Sequence, residues 1–401
     1  MSLPSSARKS YEKVLDREVT ALMHKTLLGQ ELDLPQPWAQ QGFTFRSTGL
    51  LCGLTQHEGG ACGVLAAVQA FVVRELLLAA EGGGAGPRAA NREAAGAALV
   101  GALAHIIWAA RVGRVASVVN CKTARLPQLR SAAGELTATQ CGSQADVTSC
   151  VRASIGSYRS PDGPGIALLL YSVTLTRGIA MVGRDADFPS SLIMGNGYCA
   201  QELVNLLIVG RAHSNVFNGE QRVGSSAESG AAGGDADDGC RLRGIPRRAP
   251  VGFLTLFEKQ QYGERDRELI TVGSNYKRPM YHIFVVQSES HYSVLWGAMP
   301  SILPPEVLEE GESRLPGDPD PSDEGYEEED EEDRPKPLGS GECFDLYYFD
   351  QMAERNDAVR LTISRAGAGG LDYGNAPPLE LVILSRWPGA AVDWNGEEVI
   401  L

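Results

Sequence analysis

From Val64 to Leu78 apolar side chains fall on every face of a helix, with no Pro or Gly in the run and only Gln69, Arg74 and Glu75 polar. A helix that is apolar all round packs inside a large domain, so this stretch predicts a buried central helix. Upstream, Ser10 to Leu28 has the mixed face of one N-terminal helix. The prolines of Leu34 to Trp38 break it before a strand-like Gly42 to Arg46. Trp38 and Phe43 read as packing anchors. Downstream, Asn91 to Ala110 predicts an Ala-rich helix, Val115 to Asn120 and Glu135 to Thr139 short strands, and Gly165 to Leu175 a further helix. Asn196-Gly197-Tyr198 is a turn leading into a short helix over Ala200 to Gly210. The C-terminal half is strand-like. Val251 to Thr255, Tyr281 to Gln287, His291 to Gly297, Cys343 to Asp350, Val359 to Ser364 and Leu379 to Ser385 are rich in β-formers or alternate.

Two stretches lack any core-forming pattern. Residues 225–240 are Gly, Ser, Ala and Asp with no large apolar side chain, and 300–340 are Pro-rich and then acidic, so both are expected to be disordered insertions. Asp235 to Gly239 lacks the twelfth-position glutamate and flanking helices of a calcium loop. The net charge of −14 is local: Asp318 to Asp333 holds eleven carboxylates, leaving 39 acidic against 36 basic residues elsewhere. A nearly neutral body gives no basic footprint for nucleic acid, and the acidic stretch reads as a spacer or as a steering element for a basic substrate. At 401 residues and 43% apolar content the chain can bury a sizeable core. Eight scattered cysteines form no C-x-x-C pair and no His/Cys cluster at zinc spacing, so no metal or other cofactor is expected. Reduced thiols fit a cytoplasmic or nuclear protein. No apolar h-region follows Arg8, Lys9 and Lys13, and Ile166 to Leu175 is too short to span a bilayer, so no membrane partner is expected.

Cys62 is where candidate chemistry gathers. It begins the apolar helix behind Gly59 and Gly60 and ahead of Gly63. In the first turn a thiol meets unpaired backbone N–H groups and the positive end of the helix dipole, which favours the thiolate. The same position also suits a small core residue. The glycines permit a sharp turn and close approach of a substrate chain. Gln56, six residues upstream, can donate to an oxyanion. A cysteine nucleophile needs a base. Of six histidines, His24 and His105 lie in helices, His57 is too near Cys62 to fold back on it, His213 is in a loop and His282 is inside a strand. His291 heads a strand, the place from which a base faces a nucleophile at a helix start. Asp345 or Asp350 could orient its ring, but a surface or turn role suits both, and neither is counted in the site.

Gln56 to Ala70, QHEGGACGVLAAVQA, resembles the nucleophile segment of the MINDY family of cysteine deubiquitinases, whose motif reads approximately Q-x-x-G-G-P-C-G-V-L-A-A-V-Q-A. The family proline before the cysteine is Ala61 here. The resemblance extends through Pro37-Trp38, Gln41-Gly42-Phe43, Glu202 to Leu207, the His291 strand, Phe344 to Tyr348, Pro377 to Leu381 and the final Trp394-Asn395-Gly396. It implies an α+β, papain-like fold in which one catalytic domain over 1–401 packs the nucleophile helix on a mainly antiparallel sheet. It also implies a thiol isopeptidase cutting polyubiquitin, with lysine-48 linkages preferred. Ubiquitin and polyubiquitin chains would be the partners, Cys62, His291 and Gln56 the catalytic residues, and Gly59, Gly60 and Gly63 the narrow part of the tail channel. The alternatives are a non-catalytic ubiquitin-binding relative, to which Ala61 and the lack of an evident third triad residue would point, and another papain-like peptidase or acyltransferase.

Overall fold

The computed structural model describes residues 11–129, 134–223, 240–259, 271–288, 290–301, 342–353, 355–365 and 376–398. The acidic stretch and nearly all of the two expected insertions lie outside these residues; Cys240 begins a strand. Among the described residues the largest sheet has six strands in the order β13-β12-β11-β10-β9-β8. They are β8 (Gly252–Thr255), β9 (Tyr281–Ser288), β10 (His291–Ser301), β11 (Cys343–Phe349), β12 (Val359–Arg365) and β13 (Ala390–Asp393). All neighbours are antiparallel except β8 with β9. A second sheet orders β1 (Tyr11–Val14), β5 (Leu136–Cys141) and β4 (Ala116–Cys121). Two-stranded ribbons join β2 (Thr44–Phe45) to β3 (Leu54–Thr55) and β6 (Glu220–Val223) to β7 (Cys240–Arg243). With its helices packed on both sheets, the protein is an α+β fold.

The helices in chain order are α1 (Arg17–Leu28), α2 (Gln36–Ala39), α3 (Cys62–Glu81), α4 (Arg92–Ala109), α5 (Gln144–Ala153), α6 (Ile155–Arg159), α7 (Gly165–Arg177), α8 (Ile179–Asp185), α9 (Gln201–Val209), α10 (Ser274–Lys277) and α11 (Pro378–Arg386). α3 lies between α4, α9 and the β9–β10 face of the large sheet. It is the one described helix long and apolar enough to cross a membrane, and it is buried within the protein instead. Its polar exception Gln69 is fully buried and satisfied: Oε1 accepts from the Leu54 N–H at 2.6 Å and Nε2 donates to the Cys52 carbonyl at 3.2 Å. That pair of bonds pins β3, the strand entering the cysteine loop, to the middle of the helix.

Strand alternation explains why the large sheet is apolar on both faces. Tyr292, Val294, Trp296, Tyr347 and Phe349 face the main core with α3, whereas Leu295, Leu346, Tyr348, Leu361 and Ile363 face a second core closed by α11. Leu379 to Ser385, expected as a strand, is therefore a correction: it is helical, because Leu379, Val382 and Ile383 recur at helical spacing and bury on the sheet while Pro378 occupies the first turn. Ser10 to Leu28 also divides. Tyr11–Val14 pairs with β5, and Asp16 caps α1 by accepting from the Val19 N–H at 2.8 Å. Trp38 and Phe43 are fully buried anchors, as expected.

Candidate active site

Cys62 is the first residue of α3, with Ala61 at the N-cap offering no side-chain bond. The helix start is thus not capped by its own N-cap residue; the Gly63 and Val64 N–H groups face Cys199 Sγ instead. Sγ is 3.8 Å from the Ser290 carbonyl, which joins the helix start to the turn ahead of β10. His291 opens that strand, and its Nε2 lies 2.9 Å from Asp350 Oδ1, just beyond β11. The pairing of Val294 with Phe349 sets this meeting, since it brings the end of β11 level with the start of β10. Asp350 Oδ1 also accepts from the Met352 N–H at 2.8 Å. Burial would lower the His291 pKa, but hydrogen bonds to Asp350 and to Cys62, with the charges of both, outweigh it and raise it to about 9. Burial pushes Asp350 up, but the His291 hydrogen bond and charge and the Met352 and Ala353 N–H groups take it below the usual carboxylate value. With Nε2 on Asp350, Nδ1 is the ring nitrogen left for the thiol.

The other five histidines are engaged elsewhere. His24 bonds Tyr171, His57 bonds Thr44, His213 bonds the Gly244 carbonyl, His105 packs on Phe71 and His282 sits among Phe284, Phe344 and Trp387. Gln56 lies in the loop approaching Cys62. Its N–H donates to the Gln351 carbonyl at 3.0 Å, and its side-chain Nε2 donates to the Glu58 carbonyl at 2.8 Å. Only one of the two amide protons is used there, and Oε1 is buried without a protein partner.

The three glycines differ. A side chain at Gly59 would meet nothing within 4 Å, so this residue faces open space. Gly60 has φ +102°, and a Cβ there would lie 2.8 Å from the Gly197 carbonyl. Its side-chain-free backbone is thus a requirement of the loop's own packing. Gly63 faces inward: a Cβ would stand 2.9 Å from Cys199 Sγ and 3.2 Å from Val204, so its space is filled by α9 and its approach rather than left for a substrate.

Three polar side chains hold the site beyond those counted from the sequence: Asp350, offered there with Asp345 as a candidate and left out, and Gln41 and Arg46, which the sequence did not offer. Asp350 meets His291 only through the β10–β11 register. Gln41 Oε1 accepts from the His57 and Glu58 N–H groups at 2.9 and 3.4 Å, fixing the loop. The largely buried Arg46 donates to the Asp350 carbonyl at 3.2 Å and the Ala353 carbonyl at 2.6 Å, fixing the turn behind the acid. Burial lowers the Arg46 pKa, with the charge of Asp350 opposing. Gln41 lies within the Gln41-Gly42-Phe43 stretch, which does not disclose its role, and no local signal marks Arg46.

A thiol at a helix start, an imidazole beside it and a carboxylate behind the imidazole are the groups that cysteine-type acyl transfer requires. The family model "Deubiquitinating enzyme MINDY-3/4, conserved domain" matches residues 24–310 and 337–396, and the chain belongs to this family. It is 34% identical over 387 residues to the human "Probable ubiquitin carboxyl-terminal hydrolase MINDY-4", covering 91% of this chain and 44% of that protein. The Xenopus tropicalis protein of the same name is 32% identical over 415 residues, covering 100% and 48%. Human "Ubiquitin carboxyl-terminal hydrolase MINDY-3" is 30% identical over 322 residues, covering 71% and 66%. The chain spans less than half the length of these MINDY-4 relatives. No solved structure matches it.

Proposed function

We propose that this chain is a thiol isopeptidase of papain-like fold that hydrolyses isopeptide bonds in polyubiquitin, with lysine-48 linkages preferred. The observation that carries the reading is His291 standing between Cys62 and Asp350. An imidazole that keeps its proton at neutral pH beside Cys62 is a proton donor for the leaving amine. Cys62 attacks the carbonyl of ubiquitin's last glycine, forming a thioester through a tetrahedral oxyanion. The Cys62 N–H and the free amide proton of Gln56 stabilise that oxyanion. His291 protonates the departing lysine amine, then takes a proton from the water that hydrolyses the thioester. Asp350 holds the ring and stabilises its charged form. Gly59, which faces open space, lines the entry for the terminal glycines.

Ala61 in place of the family proline leaves the nucleophile in place at the start of α3. Eight free cysteines support a reducing compartment, cytoplasmic or nuclear. The test is incubation with ubiquitin dimers of each defined linkage, followed by electrophoresis. Release of monomer, fastest from lysine-48-linked chains and absent with Cys62→Ala, is expected. Release that persists with Cys62→Ala contradicts the assignment, and equal rates for all linkages contradict the preference.

A further inference from the structure

α11 ends on a positive charge that the described residues leave unanswered. The Arg386 guanidinium lies over the Trp387 ring, 5.1 Å from its centroid, and makes no hydrogen bond or ion pair with a described residue; its Nε is buried without a partner. Burial, then the charges of Arg278 and Arg248, lower its pKa to about 10. Arg248 is held on the same side by donating to the Pro279 carbonyl at 3.1 Å, next to Arg278. The described carboxylates on the surrounding elements are committed elsewhere: Glu258 to Lys277, Glu380 to the Trp394 indole, and Asp345 to Thr362 and Arg360. Taking a cation out of water without a counter-charge is costly, so three arginines gathered at one edge mark a place for an anion brought from elsewhere.

The chain itself brings an anion to this edge. β10 begins at His291 opposite Ser288 and ends at Ser301 opposite Tyr281, so Ser301 lies about 30 Å along the strand from the catalytic base. Residues 302–342 connect that far end to Cys343, the start of β11. Both attachment points adjoin the arginines. Tyr281 precedes His282, and its N–H donates to the Pro250 carbonyl at 3.1 Å, close to Arg248 in the chain. Phe344 packs on the His282 and Trp387 rings, with centroids 5.8 and 5.5 Å apart. The connection contains Asp318 to Asp333, with eleven carboxylates and no basic residue. This stretch starts seventeen residues after Ser301 and ends ten before Cys343. At about 3.3–3.6 Å per residue, either arm is long enough to reach the cluster.

We propose that Arg248, Arg278 and Arg386 form a carboxylate-binding site whose ligand is the acidic stretch Asp318 to Asp333 of the same chain. Guanidinium groups pair with carboxylates through two parallel N–H donors, which suits a ligand dense in Asp and Glu. The attachment at both ends makes the binding intramolecular, at an effective concentration on the order of millimolar, so modest contacts suffice to fill the site. The negative charge of the stretch is thereby held at the end of the sheet away from Cys62 and His291. It answers the protein's own arginines rather than steering a basic substrate toward the nucleophile.

The experiment uses the full chain with the eleven acidic residues of 318–333 replaced by Asn or Gln, and a fluorescein-labelled synthetic peptide of the native 318–333 sequence, read by fluorescence anisotropy. The peptide should bind this neutralised chain and not the wild type, whose own stretch already fills the site. Adding Arg386→Gln or Arg278→Gln to the neutralised chain should weaken binding about tenfold or more. Arg152→Gln, the same charge change at an exposed position on α5, should leave it within about twofold. A cooperative thermal transition is required of each variant, and Arg278→Gln carries the test if Arg386→Gln does not fold. No binding to the neutralised chain overturns the site, as does binding that Arg386→Gln and Arg278→Gln weaken no more than Arg152→Gln. Equal binding to wild type and neutralised chain overturns the intramolecular ligand, because the site would then stand open to an acidic partner.

Discussion

Asp350→Asn isolates the carboxylate behind the imidazole. The substitution keeps the shape of the side chain and an oxygen to accept from the Met352 N–H, but removes the charge facing His291 Nε2 at 2.9 Å. Raising His291 from 6.5 to about 9 is worth about 3 kcal/mol of preference for the charged ring, at about 1.4 kcal/mol per unit. Burial opposes that rise, and the hydrogen bond to Asp350 is the largest of the contributions that produce it, ahead of Cys62. A loss of about 1.5–3 kcal/mol in stabilising the imidazolium corresponds to a fall of about 10- to 100-fold in kcat/KM. The alkaline limb of the pH profile, which follows loss of the His291 proton, should move from about 9 toward 6.5. Steady-state hydrolysis of a ubiquitin fluorogenic amide from about pH 6 to about pH 10 reads both quantities. A rate within about twofold of wild type, with the alkaline limb unmoved, would refute the role given to Asp350.

Gln56→Ala should lower kcat by about 10²–10³ with little change in KM, since its donation strengthens only as the oxyanion forms; a rise in KM alone would place Gln56 in ground-state binding instead. Gln69→Leu strands the Leu54 N–H and the Cys52 carbonyl in the core and should cost about 2–4 kcal/mol, read as a lowered thermal midpoint; an unchanged midpoint contradicts the pinning of β3. The His291–Asp350 pair also makes stability depend on pH. His291 is raised in the folded state, so its contribution is complete below pH 6.5 and is lost as pH climbs through about 9. Asp350 is lowered, so its contribution is present above 3.8 and is lost as pH falls through its folded value. The difference in melting temperature between wild type and Asp350→Asn should be greatest between about pH 4 and about pH 6.5 and shrink toward pH 9; a difference that widens with rising pH contradicts the pairing.

What the sequence disclosed and what it concealed follow from the range of the interactions involved. Cys62 and the helix behind it were legible because an uninterrupted apolar run and its preceding glycines are local signals. His291 was legible by exclusion and by its place at the head of a strand. Asp350 was visible only as one of two candidate acids and was left out of the site, because only the register of β10 against β11 shows which of them meets His291. Gln41 and Arg46 act on backbone groups of distant loops, and no local pattern marks such a partner. Leu379 to Ser385 misled for another reason: a nine-residue helix with Leu, Val, Ile and Leu close together also reads as alternating, and the proline pair at its start was the better guide. Gly63 resembled Gly59 and Gly60 in sequence, yet the helix turns it toward Cys199.

Reaction with ubiquitin bearing a carboxyl-terminal electrophile, followed by mass mapping of the adduct, tests the central claim most directly. Cys62, with His291 beside it, should form a single covalent adduct that is abolished by Cys62→Ala and strongly slowed by His291→Ala. An adduct on any other cysteine, or one formed equally fast without His291, would contradict the account.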